Sequence, residues 1–195
     1  DLGTLLDADA GRGVESLMPD VTVPQTLSDT LAGRDTAVDW LLEHPEKLEQ
    51  QASPDAPLTR GRFVGLLHEA AGSPAPSEAA GFGDLLGVEW YLPAVNWAAE
   101  SGVTGGTADG TFAAARPLTW QEAAVFLVRT ADALGLEPEA VRTAPLPDAL
   151  ADGAWDPASL EQAWRWGLLP EDADPSAGIT RSQGAAMADA LQALL

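Results

Sequence analysis

Apolar residues recur at helical spacing in separate windows of this 195-residue chain, and polar, glycine-rich or proline-containing stretches divide them. Between about residues 93 and 101, Ala94, Val95, Trp97 and Ala98 fall on one face of a predicted helix. Pro93 suits its first turn and Gly102 its C-terminal cap. A loop from Gly105 to Phe112 follows, and Pro117-Leu118-Thr119 then opens a longer amphipathic helix to about Leu134, with Gly135 as its stop. Residues 155–167 align without a gap on residues 90–102 at an offset of 65, which predicts another helix there. Ala37-Val38-Asp39-Trp40-Leu41-Leu42 makes a short amphipathic segment that Pro45 limits. Residues 1–30 keep no sustained period and read as an irregular lead-in or linker, with a short helix near Gly13–Met18.

The pattern repeats. A branched apolar residue and a threonine open a helix at Leu58-Thr59-Arg60-Gly61-Arg62, at Leu118-Thr119-Trp120-Gln121-Glu122 and at Ile179-Thr180-Arg181-Ser182-Gln183. The threonines lie 60 and 61 residues apart, so the chain reads as a lead-in (1–30) and three repeats (31–72, 73–135 and 136–195). Each repeat is helix, loop, helix. One such unit cannot bury its own apolar face, and the expectation is an all-α fold in which three units share one core.

Composition narrows the function. Hydrophobic content of 46% supports a folded protein, and no run approaches the roughly 20 apolar residues that span a bilayer. No basic start or apolar signal core is present, so any export signal is expected outside these residues. Thirty acids against ten bases give a net charge of −20, which argues against nucleic acid or an anionic membrane as partner. The charge is uneven: −9 over residues 1–57, −3 over 58–117, −8 over 118–178 and zero over 179–195. The absence of cysteine excludes disulfides and thiolate chemistry without fixing the compartment.

Catalysis and metals find no support. His44 and His68 are too few for a metal site or a general base, and no serine stands in a nucleophile motif. Asp7-Ala8-Asp9-Ala10-Gly11 hints at a calcium loop, but Arg12 takes the place of the required glycine and Met18 that of the closing acid. The glycines of 102–110 lack the lysine of a phosphate loop, and acid pairs such as Asp84 and Glu89 arise by chance in so acidic a chain. The expectation is a binding module without cofactor.

The second repeat carries a resemblance. Phe82-Gly83-Asp84, Trp90-Tyr91-Leu92-Pro93-Ala94-Val95-Asn96-Trp97-Ala98-Ala99-Glu100-Ser101-Gly102-Val103-Thr104-Gly105-Gly106, Asp109-Gly110-Thr111-Phe112 and Leu118-Thr119-Trp120-Gln121-Glu122-Ala123-Ala124 together resemble the S-layer homology domain. Residues 31–72 and 136–195 resemble it more weakly. The resemblance implies three tandem repeats in a pseudo-threefold arrangement around a helical core. It also implies that inter-repeat grooves bind a secondary cell-wall polysaccharide, often pyruvylated, and so hold an exported protein on the bacterial cell surface. The family signature Thr-Arg-Ala-Glu, whose arginine contacts the glycan, is replaced here by Thr59-Arg60-Gly61-Arg62, Thr119-Trp120-Gln121-Glu122 and Thr180-Arg181-Ser182-Gln183.

Each motif residue also has a plain structural reading. Thr119 with Glu122 and Thr180 with Gln183 have the spacing of capping boxes, and Thr59 holds the equivalent cap position. Arg60 and Arg181 sit at the positive end of a helix dipole, which suits either an anionic ligand or an ion pair with a neighbouring acid. Arg62 is a substitute anion contact or a solvated side chain. Trp120 is a packing residue or a sugar platform, Trp90 and Trp155 are core or groove wall, and Trp40 and Trp97 are core. The candidate glycan-binding set is Arg60, Arg62, Trp90, Trp120, Trp166 and Arg181. The alternative function is a degenerate array that docks other surface proteins or plays a structural part without binding glycan.

Overall fold

The computed structural model describes residues 53–85, 87 and 90–195. The chain divides into two compact units at Ala56–Pro57, and the elements below belong to the second, Pro57–Leu195. The lead-in, the predicted helices near 13–18 and 37–42, and Trp40 lie outside the described residues.

Six helices are present among the described residues: α1 (Arg60–Ala70), α2 (Leu92–Glu100), α3 (Trp120–Ala133), α4 (Asp148–Ala151), α5 (Pro157–Arg165) and α6 (Arg181–Gln192). Among the described residues there is no strand, and three isolated bridges are the extended pairings. The helices end where local chemistry dictates. Pro93 lies in the first turn of α2, and Asp156 accepts the Ser159 N–H to cap α5. Thr119 and Thr180 complete capping boxes with Glu122 and Gln183 at the starts of α3 and α6. None of the helices is long and apolar enough to cross a membrane.

Thr59 departs from that pattern. It holds the N-cap position of α1 in an extended conformation, yet its hydroxyl makes no cap hydrogen bond. Arg62, three residues on, has no acceptor with which to complete a box. Backbone carbonyls do the capping instead: Arg60 N–H donates to Arg116 O at 3.0 Å and Gly61 N–H to Ala114 O at 2.9 Å.

The three helices opened by threonine, α1, α3 and α6, pack pairwise on one another, while α2 packs on α1 and α5 on α3. Where their N-termini meet, backbone hydrogen bonds close a ring. Leu58 N–H donates to Ile179 O (2.8 Å), Ile179 N–H to Leu118 O (2.9 Å), and Leu118 N–H to Leu58 O (2.8 Å). The side chains of these residues are buried. Each therefore supplies a donor, an acceptor and an apolar plug to one junction.

A single apolar cluster extends from this ring through Phe63, Val64 and Leu67 of α1, Val95 and Trp97 of α2, Phe126 and Leu127 of α3, Leu160 and Trp164 of α5, and Met187 and Leu191 of α6. Gly184 permits the close approach of α6 to α1. A Cβ added there would fall 2.1 Å from Leu58 Cδ2.

Leu118→Ala removes a plug from the ring without removing its hydrogen bonds. It should lower stability by about 2–5 kcal/mol, as large-to-small core substitutions do, read from the urea midpoint.

Candidate functional site

Between the first turns of α1 and α3, the loop after α2 and residue Trp155 lies an open groove of about 580 Å³. Its floor holds a buried charge pair. Arg60 is 4% exposed. Its Nε donates to Phe112 O at 3.0 Å and its Nη1 to Glu122 Oε1 at 3.1 Å. The guanidinium lies 5.3 Å from the Phe112 ring centroid and 5.1 Å from that of Phe126. Burial lowers the Arg60 pKa, and the adjacent Glu122 carboxylate opposes that shift.

Glu122 joins three elements. One carboxylate oxygen takes Arg60 and the exposed Arg116; the other accepts the Thr119 N–H at 3.2 Å, closing the α3 capping box. A helix cap and an ion-pair acceptor are thus the same side chain. The Phe112 carbonyl that receives Arg60 is itself held in place, because the Asp84 carboxylate accepts Phe112 N–H and Ala113 N–H, both at 2.8 Å.

The loop wall is built from hydroxyls around Asp109. Thr107 and Thr111 hydroxyls and the Thr111 N–H all donate to its Oδ1. The Thr107 hydroxyl first, and then Thr111, hold the Asp109 pKa below the ordinary aspartate value by favouring the ionised form. Gly106, at φ +76°, lets the backbone turn where a Cβ would meet Phe82 and the Thr111 carbonyl.

Opposite the loop stands Trp155, 58% exposed, whose backbone N–H is tethered to Gln121 Oε1 at 3.2 Å. Arg129 projects from the next turns of α3; it is exposed and has no ion pair among the described residues. The lining holds Arg60, Arg116 and Arg129 against Glu122, with the Asp109 carboxylate in the loop just behind it, a locally less acidic surface in a chain of net charge −20. An aromatic face beside two accessible guanidinium groups can stack a sugar ring and pair its acidic substituent.

The structure redistributes the residues singled out from sequence. Trp120 and Trp166 are 7% and 8% exposed in the core, so neither presents a ring face to a ligand. Arg60 reaches the groove only as its floor, with Nε and Nη1 engaged by Phe112 O and Glu122. Trp90 is 67% exposed but lies against Gly65 and Tyr91, outside the groove lining. Arg62 and Arg181 open the first turns of α1 and α6, also outside it. Arg116, Arg129 and Trp155 were not singled out as ligand contacts. Trp155 carries a signal in sequence, since it aligns with Trp90 at the offset of 65, but that alignment does not separate core from groove wall.

Residues 81–124 match the S-layer homology domain. No curated protein matches the chain. The matched stretch contributes Asp84, α2, the hydroxyl-rich loop, Arg116 and the start of α3 with Glu122. Arg60, Arg129 and Trp155 come from the flanking sequence, so the groove is completed outside the matched stretch. Modules of this family associate with the cell surface and with cell-wall components in general.

Glu122→Gln leaves the Arg60 cation buried without a counter-charge and should cost about 3–5 kcal/mol in urea unfolding; Arg60→Met combined with it should recover a large part. Asp109 should titrate below its ordinary value in a carboxyl-carbon NMR titration. Because its folded pKa is depressed, the stabilisation it gives the loop is present at neutral pH and lost as pH falls through the folded value.

Proposed function

We propose that the chain is a non-catalytic array of three S-layer homology units, pseudo-threefold about the ring of Leu58, Leu118 and Ile179, that anchors an exported protein to the bacterial cell envelope. The ligand is a secondary cell-wall polysaccharide carrying an acidic group such as a pyruvate ketal. It is held in the groove beside Trp155, where the indole stacks on a sugar and Arg116 and Arg129 pair with the carboxylate. Arg60 and Glu122 shape the floor. The observation that carries this reading is an arginine-lined, tryptophan-walled groove on a protein of net charge −20. General electrostatics would repel an anionic polymer from such a surface, so cations concentrated at one aromatic cleft mark where it is admitted. The match of residues 81–124 to a family of wall-associating modules supports the same conclusion.

The test is co-sedimentation and calorimetry with purified wall polysaccharide from a bacterium that carries the protein. Trp155→Ala and Arg129→Ala should each weaken binding by about tenfold or more, equivalent to roughly 1.4 kcal/mol, with the thermal midpoint unchanged. Absence of binding to the polysaccharide, with retention of the protein on stripped envelopes, would favour protein docking instead.

A further inference from the structure

The tryptophan that walls the groove has a repeat counterpart, Trp90, just before α2, and the two are held differently. Trp90 rests the edge of its ring on α1. A Cβ built on Gly65 would fall 3.3 Å from Trp90 Cζ3, and the indole meets the Tyr91 ring edge-on at 5.4 Å. Sixty residues on, the position of Gly65 is taken by Val125, which is buried and belongs to the groove lining. Valine adds two methyl groups beyond the Cβ, so α3 offers Trp155 no such seat.

A second exchange supplies a tether in place of the seat. At α1 the residue after Arg60 is Gly61, where a Cβ would fall 3.0 Å from Ala114 Cβ. The equivalent residue of α3 is Gln121, which stands where the S-layer homology signature has alanine. Both helix starts are capped alike, since Gly61 N–H donates to Ala114 O and Gln121 N–H to Pro175 O. Only the second carries a side chain that reaches outward. Gln121 is 9% exposed, and its Oε1 accepts the Trp155 N–H at 3.2 Å across 34 residues. No other side-chain hydrogen bond reaches Trp155 among the described residues. On the following side, Asp156 caps α5 through the Ser159 N–H and hydroxyl, and Pro157 opens the helix. The Trp155 α-carbon is thus fixed between a tether and a cap, which leaves two side-chain torsions as its freedom. A ring ordered before the sugar arrives loses less entropy when it is stacked upon.

We propose that Gln121 is the positioning residue of the sugar platform: by fixing the Trp155 backbone it makes Trp155, and not its counterpart Trp90, the ring on which the glycan stacks. The inference rests on the reading of Trp155 as that platform. It adds the residue that orders the platform and the restriction of stacking to one of two equivalent tryptophans.

The test uses the full chain with isotope-labelled tryptophan and the purified wall polysaccharide. Gln121→Met keeps the length and the apolar stem but removes the acceptor. It should speed exchange of the Trp155 backbone amide by at least about tenfold and lower the heteronuclear NOE of its indole N–H, with the Trp90 signals in place. Affinity for the polysaccharide should fall about two- to tenfold, the range of one neutral hydrogen bond. In the Trp155→Ala background the same substitution should weaken binding no further, because it acts through the ring. Gln121→Glu keeps an acceptor oxygen and should restore the slow amide exchange. Gln121→Ala, which installs the signature residue, should behave as Gln121→Met does and keeps the test open if methionine overfills the site. Unchanged amide exchange without the acceptor, wild-type affinity in both folded variants, or an equal loss of affinity in the Trp155→Ala background would each overturn the proposal. Failure of the wild-type chain to bind the polysaccharide strikes the platform reading itself; a binding wild type with indifferent Gln121 variants strikes only the role of Gln121.

Discussion

The described structure depends on one junction. Three backbone N–H groups and three carbonyls at Leu58, Leu118 and Ile179 satisfy one another in a closed ring inside the apolar core. Buried backbone polar groups must find partners, and a ring of three does so only when all three segments are present. The junction makes the pairwise packing of α1, α3 and α6 interdependent. It also fixes where each helix begins, because the residue after each ring member is the N-cap threonine.

From that junction the charge pattern follows. Holding the first turns of α1 and α3 together places Arg60 next to Glu122, and the same carboxylate that caps α3 becomes the counter-ion of a buried guanidinium. At the α6–α1 junction neither Arg181 nor Arg62 makes a salt bridge among the described residues. Similar backbone geometry therefore yields a neutralised floor on one side and an unneutralised pair on the other. Substituting glutamate by arginine at one helical position inverts the local electrostatics while leaving the helix start in place.

Much of the helical layout was legible from residues alone. Pro93 and Gly102 bracket α2, Thr119 with Glu122 opens α3, and Thr180 with Gln183 opens α6, since caps and breakers act within a few residues. The fate of individual tryptophans was not legible. Trp120 and Trp155 are each large, apolar and able to donate one hydrogen bond, so composition places either at a core or at a ligand. Their separation into buried and exposed came from packing: Trp120 turns into the cluster from the first turn of α3, while Trp155 precedes α5 and is tethered outward by Gln121.

The 60- and 61-residue spacing of the three threonine-opened helix starts, the helix stops and the resemblance of residues 81–124 to a wall-associating family are legible in the residues alone, because each is written in local spacing. It took the packed fold to set Arg60 against Glu122, 62 residues away, to turn Trp155 rather than Trp120 to the groove, and to leave Arg62 and Arg181 without a salt bridge among the described residues. Those outcomes hinge on which side chains the ring of backbone hydrogen bonds brings together across long sequence separations. Helical spacing contains no record of those neighbours.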